Sequence, residues 1–547
     1  MIGIGTHPDL ELLRKRVMHY AVKEFGMTLP EIRFFLLNSD EFMSVLEKGV
    51  FPVSPTNIWE GKEVITKRHR VKVGLEPGIY YEVVQCGNPS YAYLNDGNNL
   101  VNQASVMAHV CGHAEFSKLN VLQDIEENRT EKVMWLTSQV ELAKRFLGDD
   151  DYRRYWNAAA SITQFTRPMS QYNLGNSVEH DNIIPEEMIV DSTETKPPIT
   201  YFSSSISELY GEGNAKDIRD RINVEQKRRK QRIEMSRSGY RLKAPCQDVF
   251  GFIAEHAPAN ESERDILSYL YAVNKNSEFI MRTQIMNEGW CMYWESKIMN
   301  KLFGEDSVTG LIDYSKTFSG VCAPRPWYRR NPYHLGFVMW KQIEKDFKKG
   351  KLSMEYTNEK DVDVKRQWNR PPKQDPIEFM RHLVRTITDF EFIRRYLTDE
   401  LIEKFHLNRV PIRDAERMGL SQEDVVKHND EWVWLNPDNI KEQMLDNFTH
   451  FHRPRIYVVD HDYNGEGALL LYHRDDNLGI LKSNWIEPTM RHISKLWKSP
   501  VYLMTYDDDG EGIMASVVKH KFTEEDYPEY PDFEEVRETI RTGLKFI

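Results

Sequence analysis

Two histidines, His109 and His113, stand four residues apart in LVNQASVMAHVCGHAEFSKLN, from Leu100 to Asn120. Val101, Ala104, Ala108 and Cys111 recur at helical spacing through the same stretch, so both imidazoles leave one face of one helix and could grip one metal ion. In a chain with 17 histidines such a pair arises readily by chance, and it gains weight from its surroundings. No charged residue occurs between Leu100 and His113, which places the imidazoles on an inward face where each needs a hydrogen-bond partner or a metal.

A lone acid, Glu288, sits in the apolar segment Asn287-Glu288-Gly289-Trp290, where an unpaired carboxylate is costly to bury and calls for a cation. Glu295 follows two helical turns later on the same face, with Cys291 between them; a salt bridge to Arg282 or Lys297 is the competing explanation. Glu255 and His256 precede Pro258, which ends their helix, so His256 is equally a helix-end cap and a site residue. Asn88 and Tyr91 could line a site from the connection ahead of the histidine helix, or serve turn chemistry and packing. Arg325, Arg329 and Arg330, in a proline-rich loop, could hold an anionic substrate or form ordinary ion pairs.

The elements that must position these groups are mainly helices. Pro8 to Phe25 reads as an amphipathic helix stopped by Gly26, and a second helix-like piece follows Leu29 before the irregular FPVSPTNIWEGKEV. IYYEVVQC, from Ile79 to Cys86, reads as a strand, and GNPSYAYLNDGNN as a turn-rich connection into the histidine helix. Glu126 to Phe146 continues as helix, Asp181 to Pro198 is a surface connection, and Cys246 to Phe303 holds two or three helices broken near Ala257 to Asn260. After the arginine loop come further helices to about Phe405.

Past residue 445 the pattern changes to four short strands, Arg455 to Asp460, Ala468 to His473, Val501 to Tyr506 and Gly512 to His520, with a helix from Glu487 to Trp497 between the hairpins. The expected fold class is α+β: a predominantly α-helical main domain over residues 1–445 and a small ββαββ C-terminal module over 446–547.

Composition narrows the function. A net charge of −12 argues against a chain-wide grip on nucleic acid or anionic membrane, and the basic run QKRRKQR within Lys216 to Lys243 has interleaved glutamates and few aromatics, as a solvated helix face does. The first residues turn charged too soon for a secretory signal, and no run of about 18 apolar residues could span a bilayer, so the expected compartment is cytoplasmic. Five scattered cysteines, without a CxxC pair, indicate neither a disulfide scaffold nor a cysteine-rich zinc site.

In order along the chain, GNPSYAYL, VMAHVCGHAEFSKLN, FIAEHAP, ESERDIL, QIMNEGWCMYW and NPYHLGF resemble the stage V sporulation protein R (SpoVR) family over most of residues 1 to about 445, and the C-terminal module resembles that family's tail. The resemblance implies a cytoplasmic protein needed in spore formers for normal spore cortex. Elsewhere it implies a neighbour encoded beside a serine protein kinase and a von Willebrand-type partner, which suggests a stress response. Glu115 stands where Asp, Asn or Ser is common in the family, Ser117 where an aromatic is usual and Glu295 where His is expected, as in a divergent member.

The histidine pair and the NEGW segment also resemble gluzincin metallopeptidases, in which HExxH supplies two zinc ligands and a downstream glutamate the third. That resemblance assigns His109, His113 and Glu288 to zinc and leaves a position open for water. Val110 occupies the place of the peptidase general base, and Glu115, about 200° around the helix from His113, cannot replace it. Either Glu295, His256 or Glu255 then supplies the base from another helix, or the metal serves another purpose. Three functions are expected: a zinc-dependent hydrolase acting on an amide of a peptide or peptidoglycan precursor, a non-catalytic scaffold of a kinase-centred stress complex, and a carboxylate-bridged iron protein built on Glu288, Glu295 and the histidines.

Overall fold

Alternating apolar residues in IRFFLL and SYAYLN build the first sheet. The computed structural model describes residues 2–38, 41–42, 83–123, 129–167, 246–275, 277–418, 420, 424–450, 453–463, 465–474, 481–507 and 512–526. Strands β1 (Ile2–Gly3), β2 (Ile32–Leu37), β3 (Val83–Gln85) and β4 (Ser90–Asn95) lie in the order β1-β2-β4-β3, with β2 and β4 parallel and the outer pairs antiparallel. Two expectations change here. The piece after Leu29 contains strand β2, and the expected connection GNPSYAYLNDGNN contains β4, an inner strand whose Ala92 and Leu94 are buried. The Asn-Pro and Asp-Gly signals only bound β4; cross-strand burial on both sides overrides them. Residues 43–82, 168–245 and their neighbours, with the FPVSPTNIWEGKEV loop, the start of the Ile79 strand, the Asp181 connection and the basic run, lie outside the described residues.

The chain divides into two compact units, each drawn from two stretches: Met1–Thr137 with Phe279–His452, and Ser138–Glu278 with Arg453–Ile547. In the first unit, helix α1 (Pro8–His19) runs on into a π-helical turn at Tyr20–Glu24, and α2 (Leu100–Leu119) follows β4. The Asn99 side chain caps α2 by accepting the Asn102 N–H at 2.9 Å, and Gln103 Nε2 donates to the Asn95 carbonyl at 2.6 Å, fixing the helix to the strand that feeds it. Every residue of α2 from Gln103 to Ser117 is buried, as a helix without a charged face must be.

Around α2 pack α1, α3 (Ser277–Gly304), α4 (Leu311–Val321), α5 (Pro332–Lys348) and α6 (Pro376–Thr386) over one apolar core that includes Trp290, Trp294, Trp340 and Phe392. A three-stranded sheet of β5 (Arg409–Pro411), β6 (Val425–His428) and β7 (Trp432–Leu435), in the order β5-β7-β6, completes the unit.

Close helix approach depends on glycine at two places. A Cβ on Gly112 would lie 2.5 Å from the Cys291 Cα, so α2 and α3 meet backbone to backbone between the two histidines. A Cβ on Gly336 would lie 2.0 Å from the Ile285 carbonyl oxygen, and one on Gly289 2.2 Å from the Gly336 carbonyl carbon, so α3 and α5 touch where Glu288 is presented.

In the second unit, β8 (Arg455–Tyr463), β9 (Ala468–Arg474), β10 (Val501–Tyr506), β11 (Gly512–Val518) and β12 (Lys521–Asp526) form a sheet in the order β12-β11-β10-β9-β8. Helix Ser483–Trp497 crosses over between the parallel strands β9 and β10 and packs on helix Asp149–Ile162. The module is thus α+β as expected, with one strand beyond the expected four: β12 is a charged edge strand, where Glu524, Glu525 and Asp526 hide the apolar alternation. The module shares its unit with part of the segment before residue 279, to which Cys246 bridges at Val458.

Replacing Gly336 by Ala is expected to lower unfolding stability by about 1–3 kcal/mol, because backbone rather than a flexible side chain must yield. Gly304→Ala, with nothing within 4 Å of the added carbon, is expected to leave the melting temperature unchanged. Equal melting of the two variants contradicts the backbone contact between α3 and α5.

Candidate metal centre

Helix α2 presents His109 and His113, and α3 presents Asn287, Glu288, Cys291 and Glu295 toward them, all within the first unit. The His109 Nδ1 lies 2.8 Å from Glu295 Oε2, and Ser105 donates its hydroxyl to Glu295 Oε1 at 2.5 Å. His113 Nδ1 lies 3.0 Å from Asn287 Oδ1. A carboxylate and an amide oxygen only accept, so each imidazole donates from Nδ1 and turns its Nε2 outward, a nitrogen that in the neutral ring carries a lone pair. The two Nε2 atoms face the same oxygen: Glu288 Oε2 is 3.6 Å from that of His109 and 3.5 Å from that of His113.

Those separations are too long for hydrogen bonds. They are close to the edge of about 3.3–3.4 Å that follows from tetrahedral zinc with ligands at about 2.0–2.1 Å. Glu288 Oε2 is shielded from solvent and accepts no hydrogen bond among the described residues. Burial pushes the Glu288 carboxyl up, but the two imidazoles and the Tyr333 hydroxyl outweigh it and hold the group below its ordinary range. His109, His113 and Cys291 also place one ligand-capable atom each within 4.8 Å of one another, which makes the thiol a fourth possible donor. These donors are the nitrogen, oxygen and sulfur set that zinc accepts.

The first unit holds α3 in place from behind. Asp389 is fully buried and accepts the Ile285 and Met286 backbone N–H groups at 2.8 and 2.9 Å, one turn ahead of Glu288. Burial pushes its carboxyl up to about 7 against the pull of those N–H groups and of Arg330. Glu115 takes the Arg381 Nε–H at 3.0 Å, the Thr28 N–H at 3.0 Å and the Trp290 Nε1–H at 3.1 Å. It ties α2, α3 and α6 together and takes no part in the centre.

A cavity of about 390 Å³ opens beside His109, and Ser105, Glu295, Arg325, Arg330, Asn331 and Tyr333 are among its lining. Of the residues singled out in the sequence, the structure thus brings together His109, His113, Asn287, Glu288 and Glu295, with Arg325 on the cavity wall. Asn287 and Glu295 hold imidazoles rather than standing free. Arg329 is turned to Asp414 at 3.3 Å and Lys297 to Glu344 at 3.4 Å. Asn88 is exposed and Tyr91 stacks on Phe35; neither lines the cavity. Glu255 and His256 lie in the second unit on helix Val249–His256, where the His256 ring packs 4.7 Å from Phe252.

Sequence reasoning passed over Ser105 and Tyr333. Ser105 lies four residues before His109 on the same helix face, a legible signal, whereas Tyr333 reaches His109 only through the fold, with ring centres 6.0 Å apart.

The chain belongs to the family described as SpoVR like protein, which it matches over residues 5–453, and it matches the SpoVR-like C-terminal domain over residues 454–508. It is similar to "Uncharacterized protein YcgB" of Escherichia coli (strain K12), with 24% identity over 485 residues that cover 87% of this chain and 88% of that protein. No solved structure matches it.

If Glu295 orients His109 toward an ion, Glu295→Gln is expected to weaken zinc affinity by about 10–100-fold with an unchanged circular dichroism spectrum. A competition titration giving the wild-type affinity removes that role.

Proposed function

We propose that His109, His113 and Glu288 hold a zinc ion and that the protein is a metal-dependent hydrolase, acting in the cytoplasm on an amide of a peptide or peptidoglycan precursor. The observation that supports this is the convergence of two Nε2 lone pairs on one carboxylate oxygen, at distances that suit ligands of a common ion. With Nε2 unprotonated on both rings, two nitrogen lone pairs and one carboxylate oxygen face a common point, and a cation there would satisfy all three. An ion held by His109, His113 and Glu288 would leave a position open and would supply the Lewis acidity that activates a water molecule there.

The chain's own groups supply the rest. Glu295 and Asn287 fix the ring orientation of the imidazoles, as carboxylate and amide partners of ligand histidines do. Val110 is fully buried and apolar, so no base stands where the peptidase glutamate would. Glu295, which lines the cavity as well as holding His109, is the proposed proton carrier. Iron in a carboxylate-bridged pair is the less suited metal: Glu295 is engaged with the far nitrogen of His109 and does not face the atoms that Glu288 faces.

A second reading follows from Cys291. Its thiolate as fourth ligand closes the shell and makes a structural zinc site in a non-catalytic scaffold, one suited to a serine-kinase-associated stress complex with a von Willebrand-type partner.

Metal analysis of the purified protein is expected to find about one zinc per chain, lost on His113→Ala with the fold intact. Cys291→Ser keeps the ion if the site is open and loses it if the site is closed. Wild-type protein that takes up no zinc contradicts both.

A further inference from the structure

The cavity beside His109 has a chemical bias of its own. RPWYRR supplies three arginines near it, and the fold treats them differently. Arg329 is paired with Asp414, whereas Arg325 and Arg330 line the cavity, and among the described residues no carboxylate lies within 4.0 Å of either. Arg330 is half-buried, with its guanidinium 5.0 Å from the Phe448 ring centre. The buried acid that acts on it, Asp389, already accepts two backbone N–H groups through its two oxygens. Glu295, the acid of the cavity wall, is likewise held through both oxygens by Ser105 and His109.

Helix α5 adds to this bias. Its first residues, Pro332 and Tyr333, line the same cavity, so the positive end of a 17-residue helix faces the space that the arginines face. A half-buried guanidinium keeps its charge and offers a planar fork of donors, which carboxylate and phosphate match. At about 390 Å³ the cavity is near the small end of ligand sites, enough for a small molecule or the end of a chain.

We infer that this cavity binds an oxyanion, a carboxylate or a phosphate, on Arg325 and Arg330, so that the substrate is a small anionic molecule or a chain end whose charged group is held beside His109. The substrate role rests on the reading of His109, His113 and Glu288 as a reacting centre; the anion site itself does not. Recognition of a terminal charge makes the enzyme act on ends or on small amides, and the interior of a polypeptide does not satisfy the arginines.

The test is calorimetric titration of the full-length protein with inorganic phosphate and, separately, with succinate. Saturable binding of either probe is expected, the preferred one naming the anion class, with affinity falling at least tenfold in Arg330→Gln and unchanged in Arg366→Gln, an exposed residue outside the cavity lining. Arg325→Gln, on the exposed side of the pair, serves the same purpose should Arg330→Gln fail to fold. His113→Ala separates the two readings: without its zinc it is expected to bind the probe as the wild type does. Absence of saturable binding to the wild type, wild-type affinity in both arginine variants, or loss of the probe together with zinc in His113→Ala overturns the proposal.

Discussion

The structure depends on bringing two helices, whose key residues are some 175 positions apart in the chain, close enough that His109, His113 and Glu288 share one point. Side chains of ordinary size between α2 and α3 would hold the groups apart. Gly112 sits between the histidines and lets the α3 backbone in at Cys291, and the Gly289–Gly336 crossing lets α5 press on α3 from another side. The NEGW and NPYHLGF motifs each contribute one glycine of that crossing, so what reads as a chemical motif is also a packing device.

An apolar core around such a centre must still satisfy its polar groups. It does so with carboxylates given several donors each: Glu115 with Arg381, Thr28 and Trp290, and Asp389 with two backbone N–H groups. Arg381 also reaches the Phe25 carbonyl and Glu378, so one buried cation joins α6 to the end of the first helical segment. Removing one member of such a set strands the other charge in a low dielectric, which is why these residues belong to the scaffold although they lie near the centre.

The site was legible where chemistry is local in sequence. The four-residue spacing of His109 and His113, the charge-free stretch around them and the lone Glu288 pointed to a metal face before any fold was known. The roles of Glu295 and Asn287 were less legible, because an acid or amide on the right face could act on substrate or hold a ligand, and only the 2.8 and 3.0 Å contacts to the Nδ1 atoms favour the second. Strand β4 was missed because turn residues flank it on both sides, and β12 because its charges mask its pairing. In RPWYRR, neighbouring arginines take different partners, and that sorting depends on Asp414, Asp389 and Phe448, none of them near in sequence.

The most direct measurement is the X-ray absorption fine structure of the zinc-loaded protein. Two imidazoles, one carboxylate and a water require a first shell of nitrogen and oxygen only, at about 2.0–2.1 Å, with imidazole scattering beyond it. A sulfur scatterer at about 2.3 Å contradicts the open centre and transfers the ion to Cys291, and a shell without imidazole contradicts the centre altogether.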